Sequence, residues 1–311
     1  MQYARSDNAR DISVWTQKTT PAGHITYPFP FVTAGGDIYL FFRDGDAGGT
    51  EALAWRYVKS TDSGDSWSAK TSVISDGDGV GPLQYNGIYW DGSKIHIAPM
   101  YVTGTDRLHA YYLYFDTDDD KCYEVDSTEI SLPVTKEWAD ANILAWDSGA
   151  SVVNHAAVTV KSDGTPCMIV VYGSDVAAEY RYVTWSGSEW TSADITGAGT
   201  DSNFDMPQIR RVDDDNLEAL LIRGPSSQTA HGSSHNTIHR GGAVEKWVSS
   251  DGGSTWAYSA VLVCDKLAGF DHIHLVRNAE NYMVTAEWTW DMDDFTNKII
   301  MVDLTTNTLI A

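Results

Sequence analysis

The chain has 311 residues, with 43 acidic against 21 basic side chains and a formal net charge of −22. That balance excludes nucleic acid as a partner, because a phosphate backbone needs a basic face; the acidic residues form a solvated shell that favours solubility. Aromatics make up 12 % of the chain and glycines number 26, so short aromatic segments cut by turns argue for an all-β protein.

No apolar run reaches the roughly eighteen residues that a membrane span needs, so no membrane partner is expected. Cys122, Cys167 and Cys264 are too few and too scattered for a disulfide framework. The N-terminal Met1–Asp7 has no apolar leader core. An extracellular protein of this sequence is therefore expected to begin after its leader or to leave the cell by another route.

In chain order, one unit appears five times. His24–Val32, a turn at Ala34–Asp37, Ile38–Gly45 and Leu53–Val58 form the first copy. The second runs through Gln84–Trp90, a turn at Asp91–Ser93, Lys94–Tyr101 and Leu108–Phe115. Val153–Val160, Pro166–Tyr172 and Tyr180–Trp185 make the third; Met206–Val212, Leu217–Arg223 and Ala243–Val248 make the fourth. The fifth is His272–Val276, Tyr282–Trp288 and Lys298–Val302. A repeat of this size built from short strands and hairpin turns predicts a β-propeller of five blades with four antiparallel strands each. It fills residues 1–311 as a single domain. The fifth copy shows no clear fourth strand, so the N-terminal Ile12–Lys18 is expected to close the ring by completing blade five.

Ser60-Thr-Asp-Ser-Gly-Asp-Ser-Trp67 and Ser249-Ser-Asp-Gly-Gly-Ser-Thr-Trp256 share the pattern Ser-x-Asp-x-Gly-x-Ser/Thr-Trp. In such a turn Asp accepts backbone N–H bonds and Gly takes positive φ. The pattern resembles the Asp-box of sialidase-type propellers, and that likeness places it between the two outer strands of a blade, away from the substrate face. Thr117–Lys121 and Gly187–Trp190 are weaker versions, and the acidic run Asp116–Asp120 is expected to be a solvated turn rather than a calcium site.

Chemistry is expected where first strands begin and second strands end, since these points share one face. His24, Tyr85, His155, Asp205 and His272 stand at first-strand starts; Arg43, Tyr101, Tyr172, Arg223 and Trp288 stand at second-strand ends. A set rich in His, Arg and aromatics converging on one mouth of an acidic protein is a functional-site expectation.

The opening stretch (His-x-x-Tyr-Pro, Ile-Tyr-Leu-Phe-Phe-Arg, then the Asp-box) is similar to a BNR-repeat family that includes ulvan-type polysaccharide lyases and related rhamnosidases. Tyr111–Asp116 and Ile130–Pro133 fit the same family. The resemblance implies β-elimination on an anionic, uronate-containing polysaccharide. Its histidine pair and its Tyr–Arg pair would fall at His24, at Arg43–Asp44, at Tyr85 and near Met100–Tyr101.

The reaction needs a positive group on the carboxylate, a base of near-neutral pKa and an acid for the leaving oxygen. Arg43 and Arg223 are the carboxylate candidates, His24 the base, and Tyr101 or His155 the acid. Tyr85, Tyr172, Asp205, His272 and Trp288 are expected to bind substrate. Two other readings stand beside this one. A glycoside hydrolase would use carboxylates such as Asp44, Asp205, Asp271 and Glu287. A glycan-binding or host-recognition module, for example on a phage tail, would stack Tyr85, Tyr101, Tyr172, Trp288 and Trp290 on sugars without turnover.

His231, His235 and His239 recur at spacing four, and Cys264 and His274 follow. These are ligand types that zinc prefers, and the resemblance implies a structural zinc; His235, His239, Cys264 and His274 are the expected set. No organic cofactor is expected. The site of action is expected to be extracellular, as a secreted protein or a phage component.

Overall fold

The computed structural model describes residues 3–6, 13–18, 25–45, 54–75, 87–101, 109–149, 153–174, 177–200, 206–225, 241–264, 269–276, 279–291 and 294–310. The chain opens with a hairpin of β1 (Tyr3–Ser6) and β2 (Trp15–Lys18). Blade one follows as β3 (Thr26–Val32), β4 (Ile38–Asp44), β5 (Ala54–Ser60) and β6 (Thr71–Ser75), paired in sequence order.

Blade two is the irregular one. Its inner pair is β7 (Gly87–Trp90) and β8 (Lys94–Ala98), and its third strand is split into β9 (His109–Tyr111) and β10 (Leu113–Asp116). β10 carries β11 (Lys121–Tyr123) and β12 (Glu129–Ile130) on its outer side. β9 instead pairs with β13 (Leu144–Asp147), which arrives from the helix α1 (Lys136–Asn142). The repeat pattern does not predict that helix. Its local signal is a cap: the Thr135 side chain accepts the Trp138 N–H, and Glu137 stands in the first turn.

Blade three is β14 (Val153–Val160), β15 (Pro166–Ser174), β16 (Ala177–Trp185) and β17 (Trp190–Thr200). Blade four is β18 (Gln208–Arg211), β19 (Leu217–Pro225), β20 (Gly241–Ser249) and β21 (Ala257–Cys264). Blade five is β22 (Gly269–Leu275), β23 (Tyr282–Asp291), β24 (Asp294–Asp303) and β25 (Thr308–Leu309). The five-bladed, all-β expectation is therefore met.

Its closure is corrected. The N-terminal strand does not complete blade five; β1 and β2 pair with each other, and the fourth strand of blade five is β25. The reason is local. β2 is mostly exposed and offers no apolar face to a blade, whereas β25 is brought back onto β24 by a turn in which Asp303 Oδ1 accepts the N–H groups of Thr305 and Thr306. The hairpin docks on the first Asp-box turn, with Arg5 Nη1 donating to Ser63 O at 2.7 Å and Lys18 Nζ to Asp65 at 2.7 Å. Among the described residues, no helix is long and apolar enough to cross a membrane.

Strands sandwiched between blades bury both faces, which explains runs such as Tyr39-Leu-Phe-Phe42, where four successive residues are buried. Phe41, Trp55, Tyr57 and Phe115 form one ring cluster across the blade one–blade two seam, with centroids 4.9–5.4 Å apart. Each such side chain is worth about 1.5–3 kcal/mol by burial alone. Mixed clusters also fill the seams two–three, three–four and four–five. The cluster on the opposite face of blade one (Ile25, Leu40, Phe42 and Val58, with Trp67 against it) draws its members from blade one alone. At the axis the packing is tight: a Cβ on Gly87 would stand 2.5 Å from Ala156 O, so β7 and β14 approach as only glycine permits.

Both Asp-boxes form as expected. Asp62 accepts the Ser66 N–H at 2.8 Å, and the buried Ser60 Oγ accepts the Gly64 N–H at 2.8 Å. In the second copy the equivalent bonds are 2.9 Å, to Asp251 and Ser249. The Ser66 and Thr255 hydroxyls, each donating at 2.6 Å, and then the N–H groups of the same residues pull the Asp62 and Asp251 carboxyls down to about 2. The run Asp116–Asp120 is likewise a turn, with Asp120 paired to Tyr39 and Lys59.

Candidate functional site

The inner strands of all five blades enclose an axial cavity of about 330 Å3, with Phe29, Trp90, His155, Met206 and His274 among its walls. His155 is 3 % exposed and stands towards the end where first strands begin.

At that end three inner strands share one distortion. In blade one the pairing steps from Thr26↔Arg43 to Phe29↔Phe41, so three residues advance against two. Blade three makes the same step from Val153↔Tyr172 to Ala156↔Val170, and blade five from Asp271↔Ala286 to His274↔Val284. Such a bulge leaves one residue unpaired and re-aims its neighbours. In blade one Pro28 has no N–H for the ladder, which accounts for the break there. Two expected first-strand histidines, His155 and His272, fall inside these bulges.

Three arginines sit against aromatic rings, Arg43 and Arg223 within their own blades and Arg181 across the seam between blades two and three. The Arg43 guanidinium carbon is 4.7 Å from the Tyr27 ring centroid, and Arg43 Nε donates to Thr26 Oγ1 at 3.0 Å. Arg181 stands 5.1 Å from the Trp146 ring and 5.2 Å from the Tyr172 ring, and donates to the Tyr172 hydroxyl at 3.3 Å and to Asp194. The Tyr172 hydroxyl donates to Glu179; burial, and then that carboxylate, push the phenol up to about 12. Arg223 lies 5.4 Å from the Trp247 ring and donates to Glu245 at 3.3 Å. The same Glu245 oxygen accepts the Trp247 indole N–H at 2.9 Å.

Their charges are not equivalent. Arg5, Arg56, Arg181, Arg210, Arg211 and Arg223 each reach a carboxylate. Arg43 is the one described arginine that reaches none among the described residues. Its neighbour Asp44 is fully buried. Burial raises that carboxyl, but hydrogen bonds from Lys70, at 2.6 Å, and from Arg56 outweigh it and hold it below the usual carboxylate range. A carboxylate so enclosed and neutralised is not available as a hydrolytic acid or base.

Of the expected site residues, Arg43, His155, Tyr172 and Arg223 lie at or beside the mouth. Tyr101 is corrected: it is 2 % exposed in the blade one–blade two core, its hydroxyl 3.5 Å from Val134 O and its ring 5.2 Å from that of Tyr111. Burial and then Asp140 raise its pKa far above the usual tyrosine value, so it does not serve the mouth as an acid. His24, Tyr85, Asp205, His235 and His239 lie outside the described residues, and His272 and Trp288 are described as strand backbone only.

Tyr27, Trp146 and Arg181 were missed. Tyr27 stands in the quoted His-x-x-Tyr-Pro, but nothing in the repeat shows a bulge. Trp146 belongs to β13, whose partner exists only because the third strand of blade two is split. For the expected zinc set, His274 lines the axial cavity and Cys264 is an exposed thiol on the outermost strand of blade four. The described residues contain no group of three or more His, Cys, Asp or Glu placed to hold a metal. No step below runs through a metal.

The fold is shared with known proteins. A family model described as "BNR repeat-containing family member" matches residues 1–198. An ulvan lyase of family PL25 from Pseudoalteromonas sp. (strain PLSV) is 24 % identical over 92 % of this chain and 60 % of its own length. A solved PL25 ulvan lyase superposes with a TM-score of 0.78 at 21 % identity, over 97 % of this chain and 70 % of that one. A second, described as bound to -[GlcA(1-4)Rha3S]-, gives 0.75 at 21 %, with the same coverage. This chain spans about 60 % of the length of that curated relative. By the match over residues 1–198, the chain belongs to the BNR repeat-containing family.

Proposed function

We propose that this propeller is a polysaccharide lyase that cleaves an anionic, uronate-containing polysaccharide by β-elimination, with an ulvan-type glucuronyl–rhamnose sulfate as substrate. One observation carries the reading: Arg43, in a chain of net charge −22, is a half-buried arginine at the mouth with no carboxylate partner among the described residues. An anionic sugar supplies the missing charge. The relatives' printed activities and the sugar in the related complex support the same choice.

In this reading Arg43 takes the uronate carboxylate, and its charge stabilises the negative charge that grows when the C5 proton leaves. His24, two residues ahead of Thr26, which bonds Arg43, is the base. The C5–H electrons form the C4=C5 double bond, the C4–O bond breaks, and the leaving oxygen takes a proton from His155 in place of the buried Tyr101. Trp146 and Tyr172 offer rings to neighbouring sugars. A polymer of this kind is met outside the cell, which is where we place the activity.

The test is the ultraviolet absorbance of the unsaturated product during incubation with ulvan. Arg43→Ala is expected to lower kcat/KM by about 10²–10³-fold, and Arg43→Lys to recover part of it, since ammonium lacks the two-pronged fit to a carboxylate. New reducing ends without the chromophore would overturn elimination in favour of hydrolysis.

A further inference from the structure

We propose that Tyr27 is a positioning residue: the bulge in β3 holds its ring in a left-handed backbone conformation so that it orients the Arg43 guanidinium for a uronate carboxylate. The proposal rests on the lyase reading of the same mouth. Tyr27 has φ of 52°, a region that a β-carbon crowds and that glycine enters freely. Four other described non-glycine residues share this sign (Ser63, Asp120, Ser127 and Asn307), and all are small polar residues in turns or connections. Tyr27 is the aromatic among them and the one inside a strand. Strain of this kind persists where the surroundings fix it, and an observed outlier at a mouth points to function.

The surroundings are on the same bulge. Thr26, just before Tyr27, accepts from Arg43 Nε at 3.0 Å and donates back to Arg43 O at 3.3 Å. Pro28, just after it, favours an extended Tyr27 with negative φ, so the left-handed conformation is held against that preference by the contacts with Arg43 and Thr26. The ring covers one face of the guanidinium at 4.7 Å. With that face covered and Nε engaged, the Nη edge, which forms no bond among the described residues, is presented for paired hydrogen bonds to a carboxylate. A glycine would satisfy the backbone at position 27. It would not hold the cation.

The experiment measures binding of a glucuronyl–rhamnose-3-sulfate tetrasaccharide by titration calorimetry, alongside turnover of ulvan and thermal melting, for four variants. Tyr27→Phe and Tyr27→Trp keep a π face and are expected to bind as the wild type does. Tyr27→Leu fills similar space without one and is expected to weaken binding and raise KM about tenfold, the scale of a desolvated cation–π contact. Tyr27→Gly removes the crowding, so it is expected to melt at or above the wild-type temperature and still lose affinity as the leucine variant does.

Wild-type affinity in Tyr27→Leu overturns the proposal and leaves the lyase reading standing. So does a Tyr27→Phe variant as weak as Tyr27→Leu, because the hydroxyl would then be the working group. A wild type that binds but releases no unsaturated product, while Tyr27→Leu loses binding, overturns the lyase reading and keeps the clamp. A wild type that does not bind the tetrasaccharide overturns both.

Discussion

The two faces of the ring use the same residue types to opposite ends. On the face of the hairpin turns, charge and hydrogen bonding are consumed internally. Asp62 and Asp251 spend their carboxylates on their own turns, Asp214 of blade four accepts the Ser162 N–H of blade three at 2.7 Å, and Arg210 of blade four reaches Asn281 of blade five. On the mouth face the account is left open: Tyr27 is strained, three inner strands bulge, and Arg43 lacks a carboxylate partner among the described residues. The proposed anion site in an acidic protein therefore depends on Arg43, the one described arginine whose charge no described carboxylate answers.

The largest effect that sharpens this contrast is Arg43→Ala, with its loss of about two to three orders of magnitude in turnover. Its unfolding free energy is expected to stay within about 0.5 kcal/mol of wild type, as for a residue outside the load of the fold. Chemical denaturation beside the rate assay checks both halves; an equal loss of stability would make Arg43 scaffold.

Next comes Gly253→Ala on the opposite face. An added Cβ there would stand 2.2 Å from the Tyr182 ring of blade three, at φ of 99°. The expected cost is about 3 kcal/mol from overpacking and strain. Gly36→Ala, at φ of 92° with nothing within 4 Å, is the control and should cost about 1–2 kcal/mol. Similar values for the two would mean that the Asp-box of blade four does not lean on blade three as described.

The smallest effect is in pH. The Asp62 and Asp251 carboxyls sit at about 2, below the value near 3.9 expected in an unfolded chain. Their stabilisation is therefore complete above about pH 4 and is lost as pH falls towards 2. Melting temperatures of the wild type should converge on those of an Asp62→Asn, Asp251→Asn double variant across that interval. A constant gap would show that these turns do not titrate as described.

The blades were legible in the sequence because each is built from neighbouring residues: alternating apolar runs, turn glycines and two Asp-boxes all act at short range. The hairpin β1–β2 was misplaced because Ile12–Lys18 looks like a strand, and its partner is decided by Arg5 and Lys18 meeting a turn almost fifty residues or more away. Tyr101 was misjudged because its position matches Arg43 and Tyr172 by count, while the chain after β8 turns its ring under Val134. Arg181 was overlooked for the opposite reason. It stands mid-strand, and the second of its two rings, Trp146, comes from the split blade next door.

Blade five ends on β25, a strand from its own stretch of chain, so among the described residues no strand is shared between the two ends of the ring. A ring fastened by its first strand would have to hold that segment unpaired until the last residues had been made. Here the described strands of each blade come from one stretch of chain, so each blade can pair its strands without waiting for the rest.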